Sequence, residues 1–183
     1  MDCQFSETQF AFCALNELVA KLNPARGWSM PIMPTQRAEA LSGYDCQLKG
    51  SVRTLFLQFK VPRMLLRTNA KYWSSHNQPY FQFKIWPDPP CKQHNTLVDL
   101  AKKDPRNQVF YCSPAFVELA VFNTLYIRKQ VLPNSIFVSC KSLPYTEEKE
   151  HHSVSYTLSP RLAVMHSEPV EVECLDLNRL LPL

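Results

Sequence analysis

Residues 44–61 read Tyr44-Asp45-Cys46-Gln47-Leu48-Lys49, then Gly50-Ser51-Val52-Arg53, then Thr54-Leu55-Phe56-Leu57-Gln58-Phe59-Lys60-Val61. Both flanking runs are rich in apolar and aromatic residues, and Gly50-Ser51 marks a turn, which predicts a β-hairpin of strands 44–49 and 54–61. Side chains alternate along a strand. Leu55, Leu57, Phe59 and Val61 therefore share one face of the second strand, with Phe56, Gln58 and Lys60 on the other. On the first strand Asp45 and Gln47 stand opposite Tyr44, Cys46 and Leu48. Two registers are open. A four-residue loop at 50–53 pairs Lys49 with Thr54 and so Asp45 with Gln58. A two-residue loop at 50–51 pairs Asp45 with Phe56 and leaves Gln58 diagonal, at about 7–8 Å. In both, Asp45, Gln58 and Lys60 project from one face, and a carboxylate, an amide oxygen and an ammonium come within reach of one small cation. Hard oxygen ligands of this kind suit magnesium, and the ammonium suits charge developing on phosphorus. The other reading is an edge strand whose Gln58 and Lys60 face water, with Asp45 as a turn residue.

Outward from the hairpin, residues 6–23 predict an amphipathic helix. Ser6 and Gln9 form a capping box, Phe10, Ala14, Leu18 and Leu22 repeat at helical spacing, and Asn23-Pro24 ends it. Pro24, Pro31 and Pro34 make 24–36 a connector. Further strands are expected at 80–86, 108–112, 135–140 and 153–158, the last taken as final. Helices are expected at about 95–103 and at 115–131, the latter with Phe116, Leu119, Ala120, Asn123 and Ile127 along one face. Residues 145–153 read as a polar loop, and the Pro-punctuated tail 159–183 is left unassigned. This order predicts an α/β protein, a mixed sheet flanked by helices, in one domain with its core at about 5–158.

The composition narrows the function classes. With 183 residues, 45% hydrophobic and 20% charged, the chain can build a full core and is not disordered. Only Gly27, Gly43 and Gly50 are glycines, which excludes the GxGxxG fingerprint and the phosphate-cradling P-loop. No apolar run spans a membrane, and the opening MDCQFSE has neither a secretory nor a myristoylation pattern. The seven cysteines, Cys3, Cys13, Cys46, Cys91, Cys112, Cys140 and Cys174, are widely spaced with no CxxC pair, so a reducing cytoplasm without a disulfide framework is expected. No standard zinc spacing supports Cys91, His94 and Cys112 as a site. Residues 37–103 carry a net charge of +7, between segments of −1 and −2. That is the footprint of a polyanion partner, or else a solvated face.

Gly43-Tyr44-Asp45, twelve intervening residues and Gln58-Phe59-Lys60 on an apolar strand resemble the PD-(D/E)XK nuclease superfamily, in its Mrr-type D…QxK form. The resemblance covers roughly residues 5–112. It implies a restriction-endonuclease-like core and a metal-dependent nuclease of DNA more than RNA, in a bacterial defence or restriction-type setting. Asp45, Gln58 and the Phe59 carbonyl would hold magnesium, with manganese as a substitute. Lys60 would assist the attacking water. Glu7 would supply the helix acid, with Glu17 as its alternative. Two departures stand out: the proline of the family's name is absent, and Gln58 removes one negative charge. The alternative is an inactive nucleic-acid-binding or complex-assembly relative. A homodimer or a targeting subunit is a further expectation.

Nucleic-acid contacts are expected from Lys49 and Arg53 in the hairpin and from Arg63, Arg67 and Lys71, with Tyr72 and Trp73 able to stack on bases. The same segment also reads as an amphipathic linker in which Met64, Leu65 and Leu66 cover the sheet. His76 and His94 read as cap or surface residues, and His151-His152 as solvated. Phe110, Tyr111, Phe116, Phe122 and Tyr126 read as core or as a self-association surface.

Overall fold

The computed structural model describes residues 1–22, 27–85, 92–146, 152–166 and 169–180. The expected chain end of the first helix at Asn23-Pro24, and Trp86, Cys91 and His151, lie outside these residues. The chain is a mixed α/β protein of two five-stranded sheets with helices against them.

The hairpin forms as β1 (Cys46–Lys49) and β2 (Thr54–Phe59) in the four-residue-loop register, from Lys49 opposite Thr54 to Cys46 opposite Leu57. β2 is not an edge. Its other side pairs in parallel with β5 (Asn107–Pro114), from Thr54 opposite Asn107 to Phe59 opposite Cys112. A parallel neighbour needs a long crossover, and residues 60–106 supply it with β3 (Arg63–Leu65), α3 (Trp73–His76), β4 (Tyr80–Ile85) and α4 (Gln93–Lys103). β6 (Ser135–Ser139) and β10 (Cys174–Leu175) complete the mixed sheet in the order β1-β2-β5-β6-β10. The antiparallel sheet runs β3-β4-β7-β8-β9, with β7 at His152–Leu158, β8 at Arg161–His166 and β9 at Val170–Glu171.

Two cores sit on the two faces of the mixed sheet. Leu55, Leu57 and Phe59 pack with Phe10, Ala14 and Leu18 of α1 (Glu7–Leu22). Phe56, Val109 and Tyr111 pack with Leu97 and Val98 of α4 and with Phe83, Val154 and Tyr156 of the antiparallel sheet. The alternation read along β2 therefore serves two cores, and Gln58 is only 1% exposed.

Several expectations need correcting. The connector 24–36 runs into α2 (Gln36–Ser42), opened by Thr35, whose hydroxyl accepts the Ala38 N–H, and closed by Gly43 at φ 79. A Cβ on Gly43 would stand 2.9 Å from the Gln93 carbonyl, so α2 and α4 approach here only over a glycine. The helix expected at 115–131 is only α5 (Leu119–Ile127); Phe116 is buried ahead of it, Phe122 alone is buried within it, and Ile127 is 80% exposed. Leu-Ala-Val-Phe-Asn-Thr-Leu-Tyr-Ile is apolar nearly all round, so its periodicity cannot select a face. β7 is not the last strand: the tail adds β8, β9, β10 and α6 (Leu177–Leu180), whose Leu177 and Leu180 join the α1 core.

Four residues taken as exposed or functional lie buried, the first being His76, whose Nε2 is 2.6 Å from Ser155 Oγ. His94 lies buried within α4, its ring nitrogens 3.0 Å from Tyr111 Oη and 2.9 Å from the Pro144 carbonyl, and burial lowers its pKa to about 4. His152 is buried in β7 rather than solvated. Glu17, the alternative helix acid, is buried and accepts the Val131 and Leu132 N–H groups at 2.9 and 3.0 Å. Glu17→Ala strands two buried donors and is expected to lower unfolding free energy by about 3 kcal/mol in urea denaturation, with divalent-cation binding unchanged.

Candidate metal and phosphate site

The site grows from the way β2 ends. Asp45 follows on from the register as the residue opposite Gln58, but it does not extend the ladder. Its main-chain N–H donates to the Leu57 carbonyl at 2.9 Å, and its Oδ2 accepts the Phe59 N–H at 2.7 Å. On the parallel side the Lys60 N–H donates to the Cys112 carbonyl at 3.0 Å. Phe59 and Lys60 are thus tied to opposite neighbours at the carboxyl end of a parallel pair, where open α/β sheets place their ligands.

Glu7 arrives from the first turn of α1, where Ser6 Oγ accepts the Gln9 N–H at 3.1 Å, as the capping box predicts. Its Oε1 stands 4.0 Å from Lys60 Nζ, and that ammonium also donates to Gln93 Oε1 of α4 at 3.3 Å. Lys60 is therefore held between helices from the two faces of the sheet. Burial raises the pKa of Glu7 against the opposing charge of Lys60 and a hydrogen bond from the Val61 backbone. Burial pushes Asp45 up to about 7; the Phe59 N–H opposes this, and the charges of Glu7 and Glu39 add to it. Partly desolvated carboxylates facing one ammonium make a cluster that favours a cation.

Gln58 precedes Phe59 on β2. Its Nε2 donates to the Phe59 carbonyl at 3.4 Å, while its buried Oε1 has no hydrogen-bond partner. An orphaned buried oxygen costs free energy unless something satisfies it. Among the described residues no group of three or more His, Cys, Asp or Glu side chains is placed to hold a metal ion. Two carboxylates, an amide oxygen and a main-chain carbonyl are instead the partial oxygen set with which magnesium keeps its waters. These are oxygen donors of the type that ion takes.

Two clefts meet at Glu7. One, of about 590 Å³, runs between α1 and the stretch before α2 and ends at Glu39 and Asp45. The other, of about 670 Å³, is lined by Lys60, Arg63 and Lys84. Of the expected nucleic-acid contacts, Arg63 belongs here, in an ion pair with Asp2 at 3.5 Å. Lys49 and Arg53 flank the hairpin loop, at the end of β2 away from Lys60, roughly 20 Å along the strand. Arg67 is exposed beyond β3. Lys71 lies 5.1 Å from the centre of the Tyr72 ring, Tyr72 stacks on His166 at 3.4 Å, and Trp73 opens α3 half-buried. These four form a separate group on the antiparallel sheet.

Glu39 and Gln93 escaped the sequence reading. Glu39 sits on a helix masked by the prolines before it, and its one signal was the Thr35–Gly43 pair that brackets seven helical residues. Gln93 precedes the expected start of α4 and carries no such signal.

No family model, curated protein or solved structure matches the chain.

A carboxyl group whose folded-state pKa lies above its unfolded value favours the fold at low pH and costs stability as pH rises through the folded value. Asp45→Asn is therefore expected to melt with wild type near pH 4 and at least about 3 °C above it near pH 8. A variant less stable than wild type at pH 8 would make Asp45 a structural cap.

Proposed function

We propose that the chain is a magnesium-dependent nuclease of the PD-(D/E)XK type, hydrolysing phosphodiester bonds in DNA in preference to RNA. The observation that carries this is the desolvated Asp45, with Glu7 and Lys60, at the carboxyl end of β2, a strand that also carries the unpartnered Gln58 Oε1. Asp45, Gln58 Oε1, the Phe59 carbonyl and Glu7 would hold the ion, with manganese as its substitute. When bound, it would supply Lewis-acid stabilisation and a more acidic water. The remaining chemistry belongs to the chain. Lys60, fixed by Glu7 and Gln93, presents its ammonium to the phosphate and orients the attacking water, so that negative charge gathering on the phosphorus oxygens meets a pre-positioned donor. Lys60 and Arg63 steer the backbone to that point. A bacterial defence setting, and a homodimer or a targeting subunit, rest on family resemblance alone.

A second reading is favoured by Gln58 itself. Its neutral amide brings no charge to the cluster, and its Nε2 lies 3.4 Å from the Phe59 carbonyl that would have to serve the ion. That is what a binding protein that lost catalysis would show.

Supercoiled plasmid and labelled single strands, incubated with magnesium, manganese or EDTA, separate the two. The nuclease cuts only with metal, and Lys60→Ala slows it by at least about 100-fold, with Asp45→Ala inactive. Salt-sensitive binding without cutting supports the second reading, and an active Asp45→Ala protein refutes the first.

A further inference from the structure

The two clefts that meet at Glu7 have opposite chemistry. The one past Lys60 carries Lys60, Arg63 and Lys84, against Asp2 and Glu7. The one past Asp45 has no cation among the described residues that line it. Leu15 and Val19 of α1 face Pro31 and Met33 across it, and Phe12 and Met33, 67% and 62% exposed, stand at its mouth. The carboxylates of Glu7, Glu39 and Asp45 also line it.

We infer that this apolar cleft takes one unstacked nucleobase, so that the substrate is a single strand rather than an intact duplex; the inference rests on the nuclease reading of the adjoining site. Phosphates follow the cations of the basic cleft as far as Lys60 and Asp45. Beyond that point the carboxylates repel phosphate, and among the described residues no lysine or arginine lines the cleft to draw the backbone onward. A base meets different conditions. The side chains of Phe12, Met33 and Pro31 offer apolar surface for its faces, and a carboxylate accepts hydrogen bonds from its amino group. The cleft's volume, about 590 Å³, lies within the range of small-molecule sites. Bases in a duplex are stacked and paired, so one enters only after costly extrusion; a single strand has no such barrier.

The test uses the full chain, labelled single-stranded DNA of one sequence, the same DNA carrying a single abasic nucleotide walked along it, and the blunt duplex. Binding is measured in calcium by fluorescence anisotropy. One abasic position is expected to weaken wild-type binding about tenfold, Phe12→Ala is expected to weaken the intact strand by a similar factor, and the abasic penalty is expected to disappear in Phe12→Ala. The duplex is expected to bind at least about tenfold more weakly. Phe12 is exposed, so its replacement leaves the core intact; matching melting curves for variant and wild type check this. A flat abasic profile, a Phe12→Ala profile identical to wild type, or tighter duplex binding overturns the inference, as does no binding at all. Metal-dependent cutting with a flat abasic profile removes the base cleft and keeps the nuclease. The expected profile without cutting in magnesium removes the nuclease and keeps the base cleft.

Discussion

The hydrogen bond from the Phe59 N–H to the Asp45 carboxylate is the contact on which the site depends. It stops the β1–β2 ladder one residue before it would continue, and it fixes a carboxylate at the point where β2 leaves the sheet. On the opposite side Lys60 is anchored to Cys112 of β5, so its side chain leaves the strand end toward Glu7 and Gln93. Each arrangement requires β2 to be central. A strand flanked by an antiparallel and a parallel neighbour and packed against α1 and α4 has little freedom to slide, because a one-residue slip would exchange Leu55, Leu57 and Phe59 with Phe56 and Gln58 between the two cores.

Polar groups placed in this way work against stability. Asp45 is desolvated to the point that its carboxyl titrates near 7, Glu7 is raised by burial, and Gln58 leaves an oxygen unsatisfied. Elsewhere some buried polar residues are fully matched, while His152 has neither ring nitrogen bonded and His76 and His166 each leave Nδ1 unpartnered. Glu17 accepts two main-chain donors, and both ring nitrogens of His94 are occupied. What sets the end of β2 apart is its pair of raised carboxyls facing the Lys60 ammonium.

How much of this was legible in the sequence follows from where the information lay. The hairpin and α1 with its Ser6 cap could be read because local alternation and helical spacing fix them; the same alternation singled out Asp45, Gln58 and Lys60, whereas Glu7 was suggested only by the family resemblance. The choice between the two registers could not be read, since it depends on β2 reaching β5, a contact made across more than forty residues. The same limit hid β8 and β10, whose short segments acquire strand geometry only from partners in β7 and β6. α5 failed for another reason: a helix apolar on nearly every side has no periodic signal to point inward. Glu39 was lost because prolines at 31 and 34 outweighed a seven-residue helix, although Thr35 and Gly43 bracket it.

The most direct measurement is the binding of manganese to the purified chain, followed by the loss of its free-ion electron paramagnetic resonance signal. The account predicts one site of sub-millimolar affinity that magnesium displaces, weakened at least about tenfold by Asp45→Ala and left intact in Glu17→Ala. Absence of binding, or a site indifferent to Asp45, would contradict it.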